Sequence, residues 1–249
     1  MKILALDIET SPAMGYFWGL FDQHIGLNQV VSTSEVICFA AKYIGEPNKA
    51  MRFHSVHKDG RKDMVQAAWT LLDETDAVLH YNGKRFDIPH LNREFIEQGL
   101  GPPSPFTEID LLQTSRKQFK FLSNKLEHVS TQLSLEGKIK HEGFELWLKC
   151  MDGDDAAWKR MEKYNRRDVT LLEDMYKVLL PWIPNHPNAA LIDGYEDALI
   201  HVCPRCKSND LQRRGSVFTK VSEFQRYQCK KCGSYSRSSK RLKGYEGAV

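Results

Sequence analysis

Two stretches of the 249-residue sequence hold side chains whose types and spacing can do chemistry. At the start, MKILALDIET runs an apolar segment into Asp7 and Glu9. Alternate residues of a strand share a face, so the two carboxylates point to one side, and Leu6 and Ile8 to the other. Like charges held that close repel unless one takes a proton or a cation lies between them. A hard divalent cation is one remedy; a strand end turning polar as it leaves the core is the plain alternative. Near the other end stand two Cys-x-x-Cys pairs, Cys203 with Cys206 and Cys229 with Cys232, separated by 22 residues. Four thiolates at that spacing close a tetrahedral shell around one Zn²⁺ and leave no open position, so the metal there would be structural.

Two further acidic sites lie between them. In HYNGKRFDIPHL, Asp87 follows an apolar strand and opens a helix with Pro89 in its first turn, where an Asp can equally be a helix cap. In YNRRDV, Tyr164 and Asp168 are four apart on a helix and share a face, as residues of any half-buried helix do. Asp110, in EIDLL, reads as a cap or turn residue before a second-layer acid, and His80 and His90 read as structural histidines.

The elements that must carry these residues follow from the apolar pattern. KILALDI, VICFAAKYI and MRFHSV read as three strands, followed by a helix over KDMVQAAWTLLDET, a strand AVLHYN, a turn at Gly83, a helix IPHLNREFIEQG and a strand FTEIDLL. SNKLEHVSTQL, FELWLKCM and the long segment AAWKRMEKYNRRDVTLLEDMYKVLLPW are helical, the last ended by Pro181 and Pro184. The result is an α/β fold with a mixed sheet flanked by helices. PNHPNAALIDG reads as a linker. Ser11 to Ser34 reads as a functional loop or a pair of short strands; its Tyr16, Phe17, Trp18 and Phe21 either stack on a nucleic-acid base or pin the loop to the core.

Together and in this order, DIET, YNGKRFDIPHL and YNRRD resemble the motifs of the DEDD exonuclease superfamily, whose fold is ribonuclease H-like. The middle segment is similar to the proofreading domain of family B DNA polymerases. Lys163 stands five before Asp168, where one branch has His, and Tyr164 stands four before it, which matches the tyrosine branch. The resemblance covers residues 1 to about 180, with no polymerase portion, and the chain is similar to stand-alone exonucleases of bacteriophages and to small bacterial ribonuclease H-like nucleases. It implies a 3′→5′ exonuclease acting on DNA or RNA 3′ ends, DNA favoured, by two Mg²⁺ or Mn²⁺ ions. By the same resemblance Asp7 bridges both metals, Glu9 and Asp168 complete the site nearer the attacking water, Asp87 holds the metal at the leaving group, and Tyr164 orients the water. The alternatives are a non-catalytic nucleic-acid-binding or recruitment protein and a structure-specific endonuclease.

The cysteine pairs then read as a zinc ribbon, giving domains 1–195 (exonuclease) and 196–249 (ribbon). From residue 196 onward 12 Lys and Arg face 5 Asp and Glu, a net +7, which leaves −4 on the first 195 residues. A basic appendage on an acidic body suits a nucleic-acid backbone, or a replication or repair protein as docking partner. Arg213, Arg214, Lys220, Arg226, Lys230, Lys231, Arg237, Lys240, Arg241 and Lys243 interleave with Phe218, Phe224, Tyr227 and Tyr235, and a merely solvated face is the plain alternative. The sequence start is not a signal peptide and no stretch has the length of a membrane span, so the expected location is cytoplasmic.

Overall fold

The computed structural model describes residues 1–135, 143–194 and 201–247. The first part contains β1 (Ile3–Thr10), β2 (Met14–Gly15), β3 (Val30–Ser32), β4 (Val36–Tyr43), β5 (Arg52–Ser55), α1 (Arg61–Asp73), β6 (Ala77–His80), α2 (Asp87–Glu97) and β7 (Thr107–Asp110). Then come α3 (Leu111–Gln118), α4 (Leu126–Gln132), α5 (Phe144–Met151), α6 (Asp155–Leu179), α7 (Ala189–Ile192), β8 (Leu211–Phe218), β9 (Ser222–Cys229) and β10 (Tyr235–Gly244).

β1 is central in a five-stranded mixed sheet of order β5-β4-β1-β6-β7, antiparallel to β4 and parallel to β6. Its apolar half is buried on both faces, which is why it reads as a continuous apolar run. Leu4, Leu6 and Ile8 pack with Met64, Val65, Leu72, Leu91 and Phe95 of α1 and α2. Ile3 and Ala5 point the other way, into a cluster with Met161, Tyr164, Leu172 and Met175 of α6. Asp7 and Glu9 have the parity of Ile3 and Ala5, so they face the α6 layer.

The register of α6 on the sheet is fixed by a buried ion pair. Lys42 of β4 is 2% exposed and pairs with Glu173 of α6. Its ammonium also donates to Glu46 O at 3.0 Å and Asn48 Oδ1 at 2.9 Å. A buried ammonium with three acceptors is compensated, and sliding the helix would break that arrangement.

The structure decides between the alternatives at one segment and revises two other expectations. Ser11 to Ser34 contains a pair of short strands, β2 and β3, but its aromatics do not pin it to the core: Trp18 is 98% and Phe21 85% exposed. The strand in FTEIDLL stops at Asp110, whose carboxylate caps α3 by accepting from Leu112 N–H at 2.9 Å and Gln113 N–H at 3.3 Å. PNHPNAALIDG is not a loose tether, since it contains α7, capped by Asn188.

β8, β9 and β10 form a separate three-stranded antiparallel sheet. The boundary expected at 195/196 lies outside the described residues, but the first Cys-x-x-Cys turn is docked on the end of α6 and on α7. Arg205 donates to Leu180 O, Ala189 N–H to Pro204 O at 2.7 Å, and Lys207 pairs with Asp193 at 2.5 Å. Cys206 and Cys232 pack against the α6 core cluster. Beside them the Tyr176 hydroxyl meets His186 Nε2 at 2.6 Å, while His186 Nδ1 meets Pro187 O at 2.7 Å. The carbonyl requires the proton on Nδ1, and in the neutral ring Nε2 then accepts from the tyrosine hydroxyl.

Burial holds the pKa of His186 down at about 4, with Arg205 adding to the effect and the Pro187 carbonyl opposing it. An unfolded histidine titrates near 6.5. The unfolded chain therefore binds the extra proton first as pH falls, and this contribution to stability is full above about pH 6.5 and is lost on the way down through about pH 4. Thermal melts at neutral pH and across that window should show wild type losing more stability than His186→Gln; parallel pH profiles for the two would refute this account of His186.

Candidate active site

Three carboxylates converge where the C-terminal half of β1 meets α6. Each of Asp7, Glu9 and Asp168 offers an oxygen within 4.8 Å of the others. Asp7 and Glu9 arrive together through the period of two of the strand, opposite Ala40 and Cys38 of β4, whose small side chains leave room above them. Asp168 arrives from α6, on the stripe that also carries Tyr164 and Asn165.

Asn165 was not singled out from the sequence. It is fully buried, and its amide donates to Asp7 Oδ2 at 2.7 Å and to Asp7 O at 3.1 Å. One side chain thus holds both the carboxylate and the backbone of the first acid. The available signal was its position between Tyr164 and Asp168 on the stripe facing β1.

Tyr164 lies 8% exposed, its ring edge-to-face with Trp147 of α5 at 6.2 Å. Burial, then the negative charge of Asp168, Glu9 and Asp7, pushes its hydroxyl far above the usual tyrosine range. The hydroxyl is hydrogen-bonded to Asp168. In that field the hydroxyl keeps its proton and is available as a donor.

Asp87 comes from the opposite layer and is not one of the three convergent acids. It occupies the first turn of α2 without capping it. Pairing of β6 with β1 ends at Ala5 and Leu79, which leaves the backbone of β1 open beyond that point. There Asp87 Oδ1 accepts from Ile8 N–H at 3.1 Å. Ile8 stands between Asp7 and Glu9, so one strand segment ties Asp87 to the two strand acids. Burial raises the Asp87 carboxyl to about 6, opposed by His80 and the Ile8 amide.

The turn that delivers Asp87 is built on His80. His80 is fully buried; Nδ1 accepts from Gly83 N–H at 3.0 Å and Nε2 faces Glu108 at 3.3 Å. A Cβ on Gly83 would lie 2.4 Å from His80 Cγ, so the close approach requires glycine. Asp110 accepts from Asn82 N–H at 3.1 Å in addition to capping α3. His90 rests edge-on against Phe86 at 4.7 Å. These three residues have structural partners. A cavity of about 730 Å³ opens beside the acids and not at them, lined by Ser11 and Met14 after β1, His57, Leu148 and Trp158.

The donor set suits hard divalent cations, since three carboxylates directed at one point are acceptors only and two of them share a strand face. At the other end, Cys203 and Cys232 Sγ lie 3.7 Å apart and Cys206 and Cys229 Sγ 3.6 Å apart. Those separations match the edge of a tetrahedron with Zn–S bonds of about 2.3 Å and exceed the roughly 2.05 Å of a disulfide. The two Cys-x-x-Cys turns repeat one pattern: Cys203 N–H bonds Ser208 O at 2.8 Å, and Cys229 N–H bonds Ser234 O at 2.9 Å. His201 stacks on Tyr227 and is not part of the sulfur cluster.

The profile of the RNase_H superfamily matches residues 25–180, more than half of the sequence. The chain belongs to the RNase_H superfamily. The matched span includes Asp87, Tyr164 and Asp168, and excludes β1 and the C-terminal sheet. Among solved structures the chain is similar to the family B DNA polymerase from the hyperthermophilic archaeon Pyrobaculum calidifontis, with a TM-score of 0.54 and 17% identity over 72% of this chain. The match spans 24% of that polymerase, about a quarter of its length, and shows a shared fold. No curated protein matches the sequence. Superfamily membership supports a nuclease, and the four-cysteine cluster supports the zinc ribbon. Among the described residues, no helix is long and apolar enough to cross a membrane.

Replacing Asn165 with Ala removes the donor to two part-buried oxygens, a loss of about 1–3 kcal/mol. Urea denaturation should give that decrease, with wild-type stability in Asn165→Ala showing that Asp7 is held by something else.

Proposed function

We propose that the chain is a metal-dependent 3′→5′ exonuclease that hydrolyses phosphodiester bonds at nucleic-acid 3′ ends. Residues 1–195 act as the catalytic unit and residues 196–249 as a zinc ribbon. The observation that carries this reading is the convergence of Asp7, Glu9 and Asp168, tied to Asp87 through Ile8. A polyanion would be repelled by such a cluster unless cations intervened, so a surface built only to grip nucleic acid has no reason to contain it.

Asp7, Glu9, Asp87 and Asp168 would hold two Mg²⁺ or Mn²⁺ ions, and Cys203, Cys206, Cys229 and Cys232 one Zn²⁺. When bound, the divalent ions supply charge neutralisation at phosphorus and activation of water. The chain's own side chains provide the rest. Asn165 keeps Asp7 directed at the site. Tyr164, fixed between Trp147 and Asp168, presents a protonated hydroxyl that can donate to substrate or orient an attacking water. Asp87 has a second role in completing the hydrogen bonding of β1. The choice of 3′→5′ polarity and of DNA over RNA rests on the resemblance of the three motifs to tyrosine-type DEDD exonucleases. A non-catalytic nucleic-acid binder and a structure-specific endonuclease are the rivals that the assay below separates.

End-labelled DNA and RNA strands with Mg²⁺, with Mn²⁺ and without either, resolved by product length, test the reading. A 5′-labelled strand should give a descending ladder, a blocked 3′ end should protect it, and Asp7→Asn should reduce the rate by at least about 10²-fold, roughly 2.7 kcal/mol of barrier. Immediate release of a 5′-labelled mononucleotide, cutting of a circular strand, or an Asp7→Asn variant within about tenfold of wild type would each contradict it.

A further inference from the structure

The ribbon sheet has two unlike faces. Partners in an antiparallel register carry their side chains on the same side of the sheet. On one side stand Arg226 opposite Arg237, Tyr235 and Gln212 opposite Gln228, and Arg241 opposite Phe224. Arg214 joins them, since its Nε donates to Gln228 Oε1 at 3.1 Å. The other side has Tyr227 stacked on His201, Glu223 accepting from Ser216 Oγ at 2.6 Å, and Cys229. Of the acids among the ribbon's described residues, Asp210, Glu223 and Glu246, none holds a register position on the arginine side.

This arrangement works against stability. Like charges directly across a strand pair are unfavourable, yet Arg226 and Arg237 are such a pair and Arg214 adjoins them. The chain also adapts its backbone to keep them together. Register is interrupted between Arg213 and Ser216, where Gly215 takes φ 73°, and Arg226 Nε donates to Arg214 O at 2.8 Å across that bulge. The guanidinium groups also lie over aromatic rings, Arg237 Cζ at 3.8 Å from the Phe224 centroid and Arg226 Cζ at 5.9 Å from that of Tyr235. Arg214, Arg226, Arg237, Arg241 and Tyr235 are exposed.

Interleaved guanidinium forks and rings match a ligand that offers phosphates and flat bases together. The forks can take phosphate oxygens bidentately. An exposed ring beside them can stack only on an unpaired base, which a duplex keeps inside its helix. We propose that this one face of the ribbon, Arg214, Arg226, Arg237 and Arg241 with Phe224 and Tyr235, binds single-stranded nucleic acid, and that the opposite face does not. The choice of a nucleic acid as the polyanion rests on the nuclease reading; the sidedness rests on the register of the ribbon alone.

The test uses the full-length, zinc-loaded chain with Asp7→Asn to prevent digestion, and fluorescence anisotropy of an oligo-dT of about 20 nucleotides, longer than a typical single-strand site. Zinc content verifies the ribbon in every variant. Arg226→Ala with Arg237→Ala should weaken binding about tenfold or more and flatten the slope of log affinity against log salt by about 1.4, or about 0.7 per lost contact. Arg213→Ala with Lys243→Ala removes the same charge from the other face and should cost less than about threefold, since the two lost charges touch no phosphate and act only through screened solvent. Tyr235→Ala should weaken the single strand about fivefold or more and leave a blunt duplex unchanged. Equal losses from the two charge pairs, or none from Arg226 and Arg237, would overturn the face; an equal effect of Tyr235→Ala on strand and duplex would overturn the single-stranded ligand. Degradation of the same oligonucleotide by the wild-type chain with Mg²⁺ is read separately, so failure of the nuclease reading would leave the sidedness result standing.

Discussion

The repulsion among Asp7, Glu9 and Asp168 is the constraint around which the rest is arranged. Bringing three carboxylates within 4.8 Å at a buried strand–helix contact is unfavourable in the bare chain, and each neighbouring feature makes it tolerable. Asn165 donates twice to Asp7, Tyr164 donates to Asp168, and small residues of β4 leave space above the strand. The Lys42–Glu173 pair prevents α6 from sliding to relieve the repulsion. Folding energy from the two apolar layers on β1 opposes the cost of a site that stability alone would not select.

How legible this was differs from residue to residue. β1 and α6 were readable because their periods are strong and uninterrupted, and those two elements bring Asp7, Glu9, Tyr164 and Asp168 into one neighbourhood. The role of Asp87 was not readable. Whether it caps its own helix or satisfies β1 depends on β6 ending at His80, a fact of tertiary pairing. Asn165 is one polar residue on a helix rich in them, and only the position of Asp7 across the interface distinguishes it. The aromatics from Tyr16 to Phe21 carry no local signal that separates packing from display. The Pro-rich stretch before α7 resembled a tether because its partner, Tyr176, lies on another element.

The ribbon shows the same division between composition and geometry. Its four cysteines and its excess of Arg and Lys are visible as letters, but the separation of arginines from acids is not. Register breaks on both sides of β9 decide which residues share a face, and a simple alternation of two does not count through them. Docking of the first Cys-x-x-Cys turn on Leu180, Ala189 and Asp193 fixes that face relative to α6, the helix that carries Asp168. Asp168 lies 11 residues before Leu179 at the end of this helix, about 16 Å along its axis at 1.5 Å per residue.

The central claim is that the convergent carboxylates form a divalent-cation site. Anomalous diffraction from crystals grown with Mn²⁺ tests it directly, with the zinc signal among Cys203, Cys206, Cys229 and Cys232 as an internal standard. The account predicts manganese among the oxygens of Asp7, Glu9 and Asp168, at hard-cation bonding distances of about 2.0–2.3 Å. Crystals that show the zinc signal and no manganese at those three carboxylates would contradict it.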